Sequence, residues 1–133
     1  MSLHSSLSAK KHLDIGRALE SLREDGVLIL GSGYTFHNLP ALFAPSQKSI
    51  QASKSFNNWL KEAMLRKTGA EREKAIVDWE QAPGARTAHP REEHLLPLFC
   101  VAAAGGDDST GKLVFEPSTL GKKDHLISGY IFN

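Results

Sequence analysis

A chain of 133 residues with 41% hydrophobic side chains can bury one modest core and is too short for several, so a single domain over residues 1–133 is expected. Sixteen Lys and Arg against fifteen Asp and Glu leave a formal charge of +1 with no block of like charge, which argues against nucleic acid or anionic lipid as a partner. No apolar run approaches the ~20 residues of a membrane span and no signal-like segment opens the chain, so a soluble, unexported, cytoplasmic protein is expected. The single cysteine, Cys100, lies among Leu98, Phe99 and Val101; it cannot form an internal disulfide and reads as a buried, inert thiol.

Ser8 suits the cap of a first helix whose apolar positions Leu13, Ile15, Ala18, Leu19 and Leu22 fall mainly on one face, with Gly26 ending it. Val27-Leu28-Ile29-Leu30 follows at once, apolar without alternation, and predicts a strand buried on both faces of a parallel or mixed sheet. The chain then enters Gly31-Ser32-Gly33-Tyr34-Thr35-Phe36-His37-Asn38-Leu39-Pro40. Beyond the carboxyl end of a strand, where ligands collect in open α/β sheets, this loop presents His37 and Asn38. A dinucleotide fingerprint is excluded, since the third glycine is missing and Pro40 should interrupt any helix that follows.

A polar stretch over 45–53 precedes a second helix marked by Phe56, Trp59, Leu60, Ala63 and Met64. Thr68-Gly69-Ala70-Glu71 matches a capping box and opens a third, with Ala75, Ile76 and Trp79 on its apolar face; the two helices form a hairpin. Pro83-Gly84-Ala85-Arg86 breaks the chain into a loop that delivers His89 and Pro90. Residues 90–104 predict the most apolar helix, with Pro90 at its first position, Glu92 and Glu93 at its positive end, and Pro97 kinking the turns beside His94. Leu113-Val114-Phe115 and the run from His125 to Phe132 read as strands. The whole is an α/β pattern: a mixed sheet flanked by helices.

Six histidines need weighing against the ordinary fate of a solvated or hydrogen-bonded imidazole. His4, His12 and His125 take that reading. His37 stands in a glycine-permitted loop, and His94 stands on an otherwise apolar helix, where an imidazole wants a metal or a hydrogen-bond partner. The segment from His89 to His94 is not a zinc-protease motif, because its histidines are five apart with a proline between.

Read together, Glu24-Asp25-Gly26-Val27-Leu28-Ile29-Leu30-Gly31-Ser32-Gly33, His37-Asn38-Leu39, Phe56-Asn57-x-Trp59 and His89-Pro90-x-x-Glu93-His94-Leu95-Leu96-Pro97-Leu98 resemble successive signatures of the class III extradiol ring-cleavage dioxygenases, in the DOPA-dioxygenase branch. The resemblance covers nearly the whole chain and implies the C-terminal portion of that catalytic domain. It also implies a non-haem Fe(II) site, with zinc as a possible substitute, that binds a catechol and O2. It carries a metal-ligand role onto His94 and an acid/base role onto His37. His89 is implied as a pocket residue and Asn38 as a residue orienting the loop or His37.

Members of that family are about twice this length, and the half supplying two further metal histidines has no counterpart here. The chain alone is therefore expected to hold iron poorly and to turn over slowly or not at all. Two other classes stay open: a non-catalytic α/β remnant or interaction subunit that self-associates or pairs with an N-terminal half, and a zinc-binding or zinc-hydrolase protein using His37, His89 and His94.

Overall fold

A computed structural model gives the architecture, and it describes residues 1–116 and 125–133. Helix α1 (Ala9–Leu19) starts where expected, its first turn capped by the Ser8 hydroxyl, which accepts the Lys11 N–H. It ends earlier than the apolar spacing suggested, passing into a 3₁₀ turn (Glu20–Arg23), and its buried stripe is Ala9, His12, Leu13 and Gly16.

Residues 27–30 depart from the expected buried strand. They join no sheet, and Leu28 and Leu30 are each 83% exposed. An apolar run becomes a buried strand only where another strand covers its edge, and among the described residues none lies beside it.

Pro40 does not interrupt a helix but begins one. Short α2 (Leu39–Phe43) takes the proline in its first turn, where a missing N–H costs nothing. Helix α3 (Gln47–Leu65) starts well before its apolar stripe. Ser46 and Ser49 cap each other, the Ser46 hydroxyl accepting the Ser49 N–H and the Ser49 hydroxyl accepting the Ser46 N–H, so the polar stretch is helical from Gln47 onward. The expected stripe is buried at Phe56, Leu60, Ala63 and Met64.

Helix α4 (Gly69–Val77) has the anticipated place but not the anticipated capping box. The Thr68 side chain makes no capping bond; separately, the Gly69 N–H donates to the Asp107 carbonyl at 2.7 Å. Trp79 lies beyond α4, buried in a 3₁₀ turn (Trp79–Gln81). Gly84, at φ +80°, enters a single helical turn, α5 (Ala85–Ala88), where a plain loop was expected.

The apolar helix α6 (Leu96–Ala104) is shorter than predicted. Pro90 opens no helix, residues 90–94 form turns, and Pro97 sits in the first turn of α6, where it frees no carbonyl and needs no kink. His94 accordingly precedes the helix. Strand β1 (Gly111–Phe115) pairs antiparallel with β2 (Gly129–Phe132) through Gly111↔Phe132, Lys112↔Ile131, Leu113↔Tyr130 and Phe115↔Gly129, with a bulge between Leu113 and Phe115. The α/β class holds, with helices dominating and the sheet two-stranded among the described residues.

The core lies between α1, α3, α5 and α6, with Leu13, Phe56, Leu60, Met64, Leu96 and Phe99 buried in it. Around it, Arg17 ties α1 to α4 through Glu73 at 2.6 Å, and buried Arg72 donates to the carbonyls of Gly106 and Ser109. Cys100 is buried, as expected, and burial pushes its thiol pKa upward.

Helices α1 and α6 meet at Gly16, where an added Cβ would collide with the Cys100 carbonyl and the Ala103 methyl. A Gly16→Ala variant is therefore expected to lose about 1–3 kcal/mol of unfolding free energy in urea titrations, despite alanine's better helix propensity. An unchanged midpoint would show that the helices are free to part.

Candidate functional site

Two loops build the site, and backbone hydrogen bonds lock them together. The Tyr34 N–H donates to the His94 carbonyl at 2.9 Å, and the His37 N–H donates to the Ala88 carbonyl at 2.9 Å. Asn38 adds a side-chain link, its Nδ2 donating to the Thr87 carbonyl at 2.8 Å while its Oδ1 accepts the Ala41 N–H and caps α2. Gly33 allows this approach, because a Cβ there would overlap the His94 carbonyl.

The result is a stacked imidazole pair. The rings of His37 and His94 lie 3.6 Å apart at an interplanar angle of 22°, with the Tyr34 ring 6.2 Å from each. His94 is exposed and His37 half-buried. A ring nitrogen offers its lone pair in the plane of its own ring. A metal ion sits about 2.0–2.1 Å from an imidazole nitrogen, so two nearly parallel rings at this spacing give one ion a single in-plane donor between them. Burial, and then the neighbouring His94, lowers the pKa of His37 from 6.5, while Glu93 acts in the opposite direction. His37 is thus a neutral imidazole at neutral pH, able to accept a proton.

His89 lies beneath, fully buried, its ring edge-on to Phe56 at 5.4 Å and to Trp79 at 6.2 Å. Neither ring nitrogen meets a well-formed hydrogen bond, and burial, opposed by the Thr35 backbone, drives its pKa down to about 4. His37, His89 and His94 do not converge on one point; among the described residues no group of three His, Cys, Asp or Glu is placed to hold a metal ion. This removes the geometric basis for a zinc site made from those three.

The remaining histidines are occupied elsewhere. His12 Nε2 accepts the His4 N–H at 3.2 Å and its Nδ1 lies 2.7 Å from the Ser8 carbonyl, an arrangement that fixes the Nδ1–H tautomer and staples the N-terminal segment to α1. His125 packs on Phe36, with centroids 4.6 Å apart, and contacts the Ser49 hydroxyl at 3.2 Å.

Sequence reasoning missed two features. Tyr34, 51% exposed beside both histidines, shares their loop and carried no motif to mark it. The second is a buried relay: the Ser128 N–H donates to Thr35 Oγ1 at 2.8 Å, the Ser128 hydroxyl to Asn57 Oδ1 at 2.6 Å, and Asn57 Nδ2 to Glu116 at 2.6 Å, with Lys61 pairing Glu116. It anchors the root of the His37 loop. A groove of about 460 Å³ runs from Tyr34 and His94 past Leu28, Leu30, Phe115 and Ile131.

The fold and the paired histidine loops place the chain among α/β proteins with a histidine site at a loop junction. Residues 1–124 match the family described as the catalytic LigB subunit of aromatic ring-opening dioxygenase, and the chain belongs to that family. It is 33% identical over 126 residues to a 4,5-DOPA dioxygenase extradiol of Portulaca grandiflora, covering 91% of this chain and 45% of the relative. It is 32% identical over 105 residues to a protein of the same name from Escherichia coli K12, covering 78% and 38%. Among solved structures, the uncharacterised protein JW3007 of Escherichia coli K12 superposes with a TM-score of 0.77 at 26% identity, over 96% of this chain and 52% of that one. The chain thus spans about half the length of the proteins it matches. Among the described residues no helix is long and apolar enough to cross a membrane.

His89 ties stability to pH. Its folded-state pKa of about 4 lies below the ordinary 6.5, so between those values the unfolded chain binds the extra proton, and stability present above pH 6.5 is lost as pH falls. That gap, at about 1.4 kcal/mol per pH unit, is worth about 3 kcal/mol. Urea midpoints measured across this range should fall toward acid, and a His89→Phe variant should fall less. For Asn38→Ala, loss of the α2 cap and of the Thr87 bond should cost about 1–2 kcal/mol in the same assay; no loss would show that the backbone bonds alone hold the loops.

Proposed function

We propose that the chain carries the C-terminal share of an extradiol catechol dioxygenase active site in a cytoplasmic protein, with His94 as one metal donor and His37 as the acid/base. The observation that carries this reading is the stacked pair, in which one ring can ligate and the other, kept neutral, remains free to move protons. His94 is the more exposed and lines the groove; in this reading His37, stacked on it, would take the hydroxyl proton of a catechol lying against Tyr34.

The residues present do not by themselves fit the three-donor Fe(II) site of such enzymes, because one in-plane donor falls short of three. Iron, or zinc in its place, would therefore be held jointly with donors from outside the described residues. This chain's own contribution is to position His94, to keep His37 neutral, and to offer an apolar wall to an aromatic substrate. In this reading His89 supports that wall from below, and Asn38 holds the two loops in register.

A second reading is a non-catalytic α/β module. It is favoured by the same shortfall in donors among the described residues.

Anaerobic Fe(II) titration followed by histidine ring NMR separates the readings. Broadening is expected first at His94, with His4 and His12 untouched, and His94→Ala should abolish it. With a catechol and O2 supplied, oxygen uptake is expected to be slow, and His37→Ala should lower it by roughly 10²–10⁴-fold while leaving the NMR response to Fe(II) in place. Broadening that survives His94→Ala would overturn the metal assignment. Absence of any uptake, with Fe(II) still bound at His94, would leave the non-catalytic reading standing.

A further inference from the structure

We propose that residues 125–128 form a strap that positions His37, and that a buried polar stripe on α3, with Asn57 as its deciding member, sets the register of that strap. The proposal deepens the acid/base assignment of His37 and rests on it for any effect on turnover; its geometry stands without it.

Ser49, Ser53 and Asn57 recur at i, i+4 and i+8 on α3, so their side chains line one face of the helix, and all three are buried. Each holds one residue of the strap. The His125 Nε2 lies 3.2 Å from the Ser49 hydroxyl, the Leu126 N–H donates to Ser53 Oγ at 2.9 Å, and the Ser128 hydroxyl donates to Asn57 Oδ1 at 2.6 Å. A buried polar group displaced by one step loses its bond, so this stripe fixes where an irregular segment lies along the helix more sharply than an apolar face could.

The same strap holds the chain just before His37. The Ser128 N–H donates to Thr35 Oγ1 at 2.8 Å, and the His125 ring packs on Phe36 with centroids 4.6 Å apart. Residues 35 and 36 are thus tied to α3 through the strap, while the His37 N–H and the Asn38 side chain tie the next two to Ala88 and Thr87. That opposing segment refers to the same helix, since Phe56, next to Asn57, meets the His89 ring at 5.4 Å. Adjacent positions of one 19-residue helix therefore set both loops, and with them the spacing of the His37 and His94 rings. This gives the Phe56-Asn57-x-Trp59 motif a role beyond packing.

Asparagine suits position 57 because its amide offers an acceptor and a donor at once. Oδ1 accepts from Ser128, while Nδ2 donates to the Glu116 carboxylate at 2.6 Å, and Glu116 also pairs with Lys61. An aspartate there would keep the acceptor, lose the donor and set a second negative charge against Glu116. Exchanging the two partners, with Glu116→Gln added, restores a donor and an acceptor to the contact.

In the metal-free protein the stacked rings shield each other's protons, so the NMR shifts of His37 and His94 report the spacing of the pair. In Asn57→Asp both sets of ring signals should move downfield, those of His4 and His12 should stay, and the Ser128 amide should exchange roughly tenfold faster. The Asn57→Asp/Glu116→Gln double variant should return the ring signals and the amide protection. Ile76→Ala, a core truncation on α4, should lower the urea midpoint without moving the ring signals, which separates positioning from a loss of stability alone. Should Asn57→Asp fail to fold, Thr35→Val, which removes the Oγ1 acceptor, should move the ring signals, and Thr35→Ser, which keeps it, should not. Unmoved ring signals in Asn57→Asp or Thr35→Val, signals that move as far in Ile76→Ala, or a double variant that stays shifted would each overturn the proposal. These ring readouts need neither metal nor turnover. With Fe(II), a catechol and O2 supplied, oxygen uptake should fall and recover with the stacking; uptake indifferent to the movement of the rings would uphold the strap and overturn the acid/base role of His37 instead.

Discussion

The site depends on one constraint: the loop over 33–38 is zipped to the segment over 87–94. Three hydrogen bonds do this, from the amides of Tyr34 and His37 and from the Asn38 side chain, onto the carbonyls of His94, Ala88 and Thr87. Each contributes only about 1 kcal/mol net. Their importance is geometric, because they join the two segments at the backbone of both histidines and so fix how closely the rings approach. A slip of either loop would part the imidazoles, which is why Gly33, where any Cβ would strike the His94 carbonyl, matters as much as the histidines.

That zipper needs a firm backing on each side. For His94 it is α6, buried almost throughout and pressed on α1 at Gly16. For the His37 loop it is the polar relay from Thr35 through Ser128 and Asn57 to Glu116 and Lys61. The two supports differ in kind. Apolar packing tolerates small volume-conserving change, whereas a buried polar relay is costly when a single member is removed, since each partner left behind is unsatisfied. The His37 side should be the less forgiving of the two.

Much of this was legible in the sequence, and the failures have physical causes. The spacing of Phe56, Leu60, Ala63 and Met64 announced α3, but its start was hidden because Ser46 and Ser49 cap each other without the acidic residue that usually marks the motif. Thr68 and Glu71 had the right spacing for a box, yet the Thr68 side chain makes no capping bond. Pro97 was read as a fault in a long helix, when the helix begins beside it. For residues 27–30 the apolar pattern was correctly seen and wrongly buried, because local pattern encodes a preference for cover without encoding what provides it. The likeness in the motifs pointed to His37 and His94 as a pair; their stacking was invisible to it, since ring orientation is set by hydrogen bonds between segments some fifty residues apart.

The stacking also gives two chemically identical side chains different surroundings. Exposure leaves His94 open to a ligand, while burial and the neighbouring ring hold His37 below its ordinary pKa. Below both, His89 makes no well-formed hydrogen bond and titrates near 4, so it adds bulk and no charge at neutral pH. A second cation in that layer would repel any metal or protonated partner above it in a poorly screened interior. Keeping the lower histidine neutral by packing it between Phe56 and Trp79 leaves the upper pair free to carry whatever charge its chemistry demands, and the aromatic box is best understood as part of the electrostatics of the site.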